Sequence, residues 1–120
     1  MEKREIKFRA WDNHNKKMCQ PYYEIKVLET NVCSIEHSPT GGYYMTDIMQ
    51  FTGLVDKNNK EIFESDILKH GDEILVVNWH KEFASFVLNK KGWAFSHFFQ
   101  EGANAENCEV IGNIYETPNL

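Results

Sequence analysis

Gln50-Phe51-Thr52-Gly53-Leu54-Val55-Asp56-Lys57-Asn58-Asn59-Lys60-Glu61-Ile62-Phe63-Glu64-Ser65-Asp66-Ile67-Leu68 is the stretch whose reading decides the fold. It reads as strand, polar turn, short tight segment, strand. Asp56-Lys57-Asn58-Asn59-Lys60 is the strongest turn signal in the chain. Asn at position 58 or 59 tolerates a left-handed backbone, and its side chain can bond its own turn. Ile62 and Phe63 are core candidates between charged neighbours. Glu64-Ser65-Asp66 is a second tight turn, in which the Asp66 carboxylate is expected to accept backbone N–H groups.

Downstream of this stretch the strand pattern is strong. His70-Gly71-Asp72, His80-Lys81-Glu82 and Asn89-Lys90-Lys91-Gly92 are turn signals. They separate Ile67–Lys69, the long apolar run Glu73–Trp79, Phe83–Leu88, and Trp93–Phe99, the last read as a strand or the start of a short helix. Gly102–Asn107 reads as a polar loop, and Cys108–Tyr115 as the closing strand. Gly112 within that strand marks a bend or bulge. Short strands joined by tight turns predict a small curled sheet or barrel.

Upstream the chain is less regular. Ile6, Phe8 and Ala10 alternate with Glu5, Lys7 and Arg9, the period of a half-buried strand with the charged residues outward. Asp12–Lys16 is a turn by composition, Met18 and Cys19 return as a strand, and Pro21 interrupts the pairing. Residues 22–35 fit strands by β-branched content, although a helical turn would also pass. Ser38-Pro39-Thr40-Gly41-Gly42 is a loop. Tyr43–Met45 and Ile48–Phe51 read as one strand bent near Asp47. Phe51–Leu54 lacks the length and composition of a flexible linker.

The 120 residues predict one domain, with enough apolar content (42%) for a core without disulfides or metal. Thirteen basic against eighteen acidic residues give a net charge of −5. That balance, with Arg only at positions 4 and 9, provisions phosphate and base contacts poorly. Nucleic acid is therefore an unfavoured partner. An odd set of cysteines, Cys19, Cys33 and Cys108, does not suit a secreted disulfide framework. The charged N-terminus runs straight into a strand, and no apolar segment has membrane or signal-peptide length, so cytoplasmic residence is expected.

No constellation of residues announces chemistry. Cys33 and His37 with Cys19 lack the paired spacing of zinc sites, so no metal and no cofactor are expected. Cys108 reads as a small core hydrophobe. Glu64 and Asp66 would share a face if extended, which leaves a small hydrolytic enzyme as an alternative, but solvated turn residues are the simpler reading. Trp79, Phe83, Phe86, Trp93 and Phe95 could form a stacking platform for single-stranded nucleic acid, yet few cations flank them. A non-enzymatic protein acting through protein contacts is the leading expectation. Its surface candidates are Trp11, Tyr22, Tyr23, Tyr43, Tyr44, Trp79 and Trp93. Self-association into a homo-oligomer is expected.

Several motifs, in order and spanning nearly the whole chain, carry a family likeness. They are Arg4-Glu5-Ile6-Lys7-Phe8-Arg9-Ala10-Trp11-Asp12, Met49-Gln50-Phe51-Thr52-Gly53-Leu54, Asp56-Lys57-Asn58, Lys60-Glu61-Ile62-Phe63-Glu64, Asp66-Ile67 and Val110-Ile111-Gly112-Asn113-Ile114-Tyr115-Glu116. Together they resemble YopX-type proteins. The resemblance implies a small β-rich protein of phages, prophages and related mobile elements, with phage or host proteins as partners. It brings no assigned activity and no catalytic residue. The family commonly has Gly where Asn59 and Ser65 stand. Asn preserves a left-handed turn, whereas Ser there means either an ordinary backbone or strain. The expected architecture is mainly β. A small N-terminal β-rich part, residues 1–52, packs as one compact unit with a C-terminal part, residues 53–120, that looks like an SH3-like β-barrel.

Overall fold

The computed structural model describes residues 5–13, 15–22, 26–27, 33–36, 43–44, 47–90, 96–99 and 104–120. Among these the chain is mainly β, with twelve strands and one short 3-10 turn. It divides into two compact units, Met1–Phe51 and Thr52–Leu120.

The first unit holds β1 (Phe8–Asp12), β2 (Lys17–Tyr22), β3 (Lys26–Val27), β4 (Cys33–Glu36), β5 (Tyr43–Tyr44) and the beginning of β6 (Asp47–Val55). β1 is flanked by β2 and β6, both antiparallel to it. Strands β3, β4 and β5 form a second small antiparallel sheet. The β1–β2 turn is closed by Asp12, which accepts the backbone N–H of Asn15 at 3.0 Å and its side-chain amide at 2.7 Å. Lys16 takes the left-handed conformation there, with φ of 55°. Pro21 does not end its strand. β2 runs on to Tyr22, and the register slips between Phe8 and Ala10. Two residues of β2, Gln20 and Pro21, stand opposite the single Arg9 of β1, so the bulge lies on the proline's own strand and accommodates the missing N–H.

The faces of β1 are not those the alternation predicts. Lys7 and Arg9 are buried, as are Ala10, Trp11 and Asp12, while Ile6 is 50% exposed. A strand flanked on both sides has little free surface, so its cations use their apolar stems as packing material. The Lys7 ammonium lies 4.8 Å from the centre of the Phe51 ring and 3.3 Å from Glu5. Arg9 Nε donates to Met49 Sδ at 3.4 Å.

The second unit contains the rest of β6, then β7 (Glu61–Phe63), β8 (Asp66–His70), β9 (Glu73–His80), β10 (Ser85–Lys90), β11 (Ser96–Phe98), the 3-10 turn η1 (Ala105–Asn107) and β12 (Glu109–Asn113). β7 pairs with β6, and the other strands form an antiparallel sheet in the order β11-β10-β9-β8-β12. Its core is Ile62, Leu68, Leu75, Val77, Leu88 and Cys108, with Leu54, Phe99, Ala105 and Val110 packed against them. Burying each large aliphatic side chain contributes about 1.5–3 kcal/mol. The Cys108 thiol is free and fully buried, as expected of a core residue. Burial and the charge of Asp56 raise its pKa, so it stays protonated and inert at neutral pH.

Gly112 sits where the β12–β8 register shifts, between Val110 and Gly112. Its requirement is spatial. A Cβ here would collide with Thr117 Oγ1 and approach Leu120 Cδ1 to 2.8 Å. The chain end folds back because Asn113 Oδ1 accepts the N–H groups of Tyr115 and Glu116, at 3.0 and 2.8 Å. Thr117 Oγ1 meets both the N–H and the C=O of Asn113 at 3.0 Å.

Asn59 adopts φ of 66°, the left-handed turn its residue type allows. Ser65 adopts φ of 71°, so of the two alternatives open for it the strained one holds. The turn is held nonetheless. Ser65 N–H donates to Val77 O at 2.8 Å, and Ser65 O accepts Ile114 N–H at 3.0 Å.

Ser65→Gly is expected to raise stability by about 0.5–1 kcal/mol, the relief of strain less the added freedom of the unfolded chain. Gly112→Ala is expected to lower it by about 1–3 kcal/mol. Urea denaturation of both variants checks the pair; equal stability of all three proteins would refute this account of the two turns.

Candidate functional site

Of the surface residues picked from sequence, Trp11 and Trp79 have described side chains. Trp11 is only 8% exposed and belongs to the interior of the first unit, because β1 is flanked on both sides. The backbone of Tyr22 lies in β2, and that of Tyr43 and Tyr44 in β5. Tyr23 and Trp93 lie outside the described residues. Trp79 is 49% exposed near the end of β9.

Around Trp79 the structure builds an aromatic hairpin tip. Leu75, Val77 and Trp79 lie on one face of β9, opposite Lys90, Leu88 and Phe86 of β10. Leu75, Val77 and Leu88 are buried, but the same row ends in a half-exposed Trp79. The Phe86 ring meets Trp79 edge-on, with centroids 5.1 Å apart at 71°. Residues 81–84 form the turn, and β10 begins only at Ser85. Phe83, read from sequence as the first residue of the returning strand, is therefore a turn residue and is 57% exposed. Its ring lies against His80, centroids 4.5 Å apart. Ala84 holds the turn at φ of 47°, a conformation that costs a non-glycine residue about 1–2 kcal/mol. His80 Nδ1 is buried without a hydrogen-bond partner. The detectable signal was an apolar aromatic in a turn otherwise made of Lys81 and Glu82.

A second concavity in the same unit, open to solvent and about 520 Å³ in volume, is lined by Gly53, Leu54, Val55, Phe99, Asn104, Ala105 and Glu106. Gly53 opens this stretch of β6 with φ of 88°. Thr52 Oγ1 supports the bend, donating to Ile62 O at 2.7 Å and accepting Leu54 N–H at 3.1 Å. The lining mixes the apolar Leu54, Val55, Phe99 and Ala105 with the polar Asn104 and Glu106.

The two aspartates of the central stretch, Asp56 and Asp66, serve the backbone. Asp66 is buried, and its Oδ2 accepts Phe63 N–H at 2.8 Å. Asp56 is buried as well. Its Oδ1 accepts Asn58 and Lys60 N–H, both at 2.8 Å, and its Oδ2 accepts Val110 N–H at 2.8 Å. Burial pushes the Asp56 pKa up, but the N–H donors of Val110, Lys60 and Asn58 and the charge of Lys60 outweigh it, leaving the group below its ordinary value. Among the described residues no group of three His, Cys, Asp or Glu side chains could hold a metal ion. No helix among them is long and apolar enough to cross a membrane.

The family model described as "YopX protein" matches residues 7–120. The crystal structure of protein EF1440 from Enterococcus faecalis is similar to this chain at 27% identity and a TM-score of 0.66, covering 98% of each chain. No curated protein matches.

Asp56 is depressed in the folded state, so its stabilisation is complete above the unfolded pKa near 3.8 and is lost as pH falls through the lower folded value. Asp56→Asn places an amide N–H₂ against one of the three backbone donors and removes the charge. It is expected to cost about 2–3 kcal/mol at pH 7. Denaturation midpoints from pH 7 to pH 2 check this: the variant should lose less stability than the parent on acidification, and parallel curves would refute the role.

Proposed function

This chain belongs to the YopX family, and from that premise we propose that it is a phage or prophage accessory protein that works by binding other proteins. The aromatic tip of the β9–β10 hairpin carries the proposal. Trp79, near the end of β9, and Phe83, in the turn that follows, are each about half exposed, and exposed large aromatics favour a partner surface. We take the protein to be non-enzymatic and to act in the cytoplasm of the bacterial host. Asp66, one of the two carboxylates of the hydrolytic alternative with Glu64, supports the first point, since it is buried and accepts Phe63 N–H.

The same reading takes the second unit for an SH3-like barrel. The meander of β8, β9 and β10 supports it, as does η1 immediately before a last strand, β12, that returns to β8. On this scaffold the hairpin tip is an extension available for contacts, while the core residues Leu75, Val77 and Leu88 hold its base.

Affinity capture from lysate of a prophage-bearing host tests the proposal. Proteins retained by the parent should be lost with Trp79→Asp and with Phe83→Asp, while circular dichroism stays unchanged. Retention of the same proteins by both variants would overturn the assignment of the tip. Salt-sensitive binding of single-stranded DNA or RNA by the parent would favour a nucleic-acid role instead.

A further inference from the structure

We propose that residues 114–120 are a strap that closes the outer edge of β12, and that opening the strap exposes this edge to an added β-strand. β12 is the last strand of its sheet, with β8 on one side. Alternate residues of a strand turn their N–H and C=O groups to opposite edges. Val110 N–H goes to Asp56 Oδ2 rather than to β8, so position 110 faces outward. The bulge between Val110 and Gly112 shifts the alternation by one, and Asn113 therefore faces outward too. Ile114 faces back, donating to Ser65 O just before β8.

An open outer edge invites pairing with another chain. Here two different devices close it. At its start β12 meets the turn after β6. Lys57 N–H donates to Cys108 O at 2.9 Å, and Asp56 Oδ2 accepts Val110 N–H at 2.8 Å. At its end the closure is Thr117. Its Oγ1 accepts Asn113 N–H and donates to Asn113 O, each at 3.0 Å, and its backbone N–H donates to the same oxygen at 3.0 Å. Gly112 supplies the seat, because a Cβ there would collide with Thr117 Oγ1 and approach Leu120 Cδ1 to 2.8 Å.

The two closures differ in strength. The first uses a buried carboxylate. The second uses a neutral hydroxyl, in a segment whose Ile114, Glu116, Pro118, Asn119 and Leu120 are exposed. Opening the strap uncovers little apolar surface, so it opens more readily than the unit unfolds. Asn113 N–H and C=O then face outward with their Thr117 partner gone. Every copy of the chain carries the same edge, so strap opening is read as self-association through β12.

Amide hydrogen exchange tests the strap in the parent itself. Asn113 N–H should exchange about 10-fold faster than Val110 N–H or more, and low urea should accelerate Val110 but not Asn113. Thr117→Val removes the hydroxyl, and Gly112→Ala removes the seat. In both, Asn113 should lose its protection while Val110 stays protected. Thr117→Ser keeps the hydroxyl and should behave as the parent. Sedimentation velocity should show association of the two open-strap variants at concentrations where the parent does not change.

Equal exchange rates and equal urea dependence for Asn113 and Val110 in the parent would overturn the strap, because the segment would then open only with the whole unit. That measurement needs no variant to fold. A folded Thr117→Val that keeps Asn113 as protected as in the parent would also overturn it. Open-strap variants that associate no more than the parent would overturn the masked edge.

Discussion

Three backbone N–H groups converge on one buried carboxylate, that of Asp56, and the second unit depends on that convergence. Two of the donors, Asn58 and Lys60, belong to the turn that follows the carboxylate; the third, Val110, comes from the last strand. A turn and a closing strand separated by 54 positions in sequence are thereby fixed to the same two oxygen atoms. Lys57 N–H reinforces the junction by donating to Cys108 O at 2.9 Å, and its ammonium lies 3.5 Å from Glu109. The ion pair is half-exposed and adds little. The charge-assisted bonds to Asp56 are buried and strong, because ionised acceptors hold N–H donors more tightly than neutral ones.

The position of this clamp explains the neighbouring structure. With β12 tied to the turn after β6, Cys108 is drawn into the core beside Ile62 and Leu68. β12 then runs along β8, and its bulge before Gly112 is needed so that the chain end can fold over the strand. Ser65 is strained at the start of β8, yet bonds to Val77 and Ile114 on either side hold it there. The strain is local, while the contacts that enforce it come from two other segments.

What could be read from sequence was what residues decide locally. Asn59 and Asp66 announced their turns because an Asx side chain acts on backbone a few positions away. Gly112 announced a bulge, although the reason for glycine there, the approach of Thr117, involves a segment that reads only as a tail. The faces of β1 were not legible. Alternation predicts burial when a strand has one covered face, but the burial of Arg9 is set by Met49, forty residues away. At the candidate site, Trp79 was recognisable by type, whereas Phe83 was hidden because a run of apolar letters does not mark where a turn ends and a strand begins. Only the left-handed Ala84 places that limit at Ser85.

The residues that carry the family likeness and the residues that form the candidate surface are different sets. Gly53 bends β6, Asp56 clamps the closing strand, Asp66 closes its turn, and Gly112 and Asn113 turn the chain end back. Each has a backbone task that another residue type would perform poorly. Trp79, Lys81, Glu82 and Phe83 stand outside all the shared motifs, at a hairpin end whose left-handed turn residue is an alanine rather than the glycine that would relieve it. Motifs made of turn and clamp residues specify a scaffold, and a scaffold shared across a family leaves partner choice to the side chains it displays. For this chain the proposed side chains are those of Trp79, near the end of β9, and Phe83, in the turn that follows, each about half exposed.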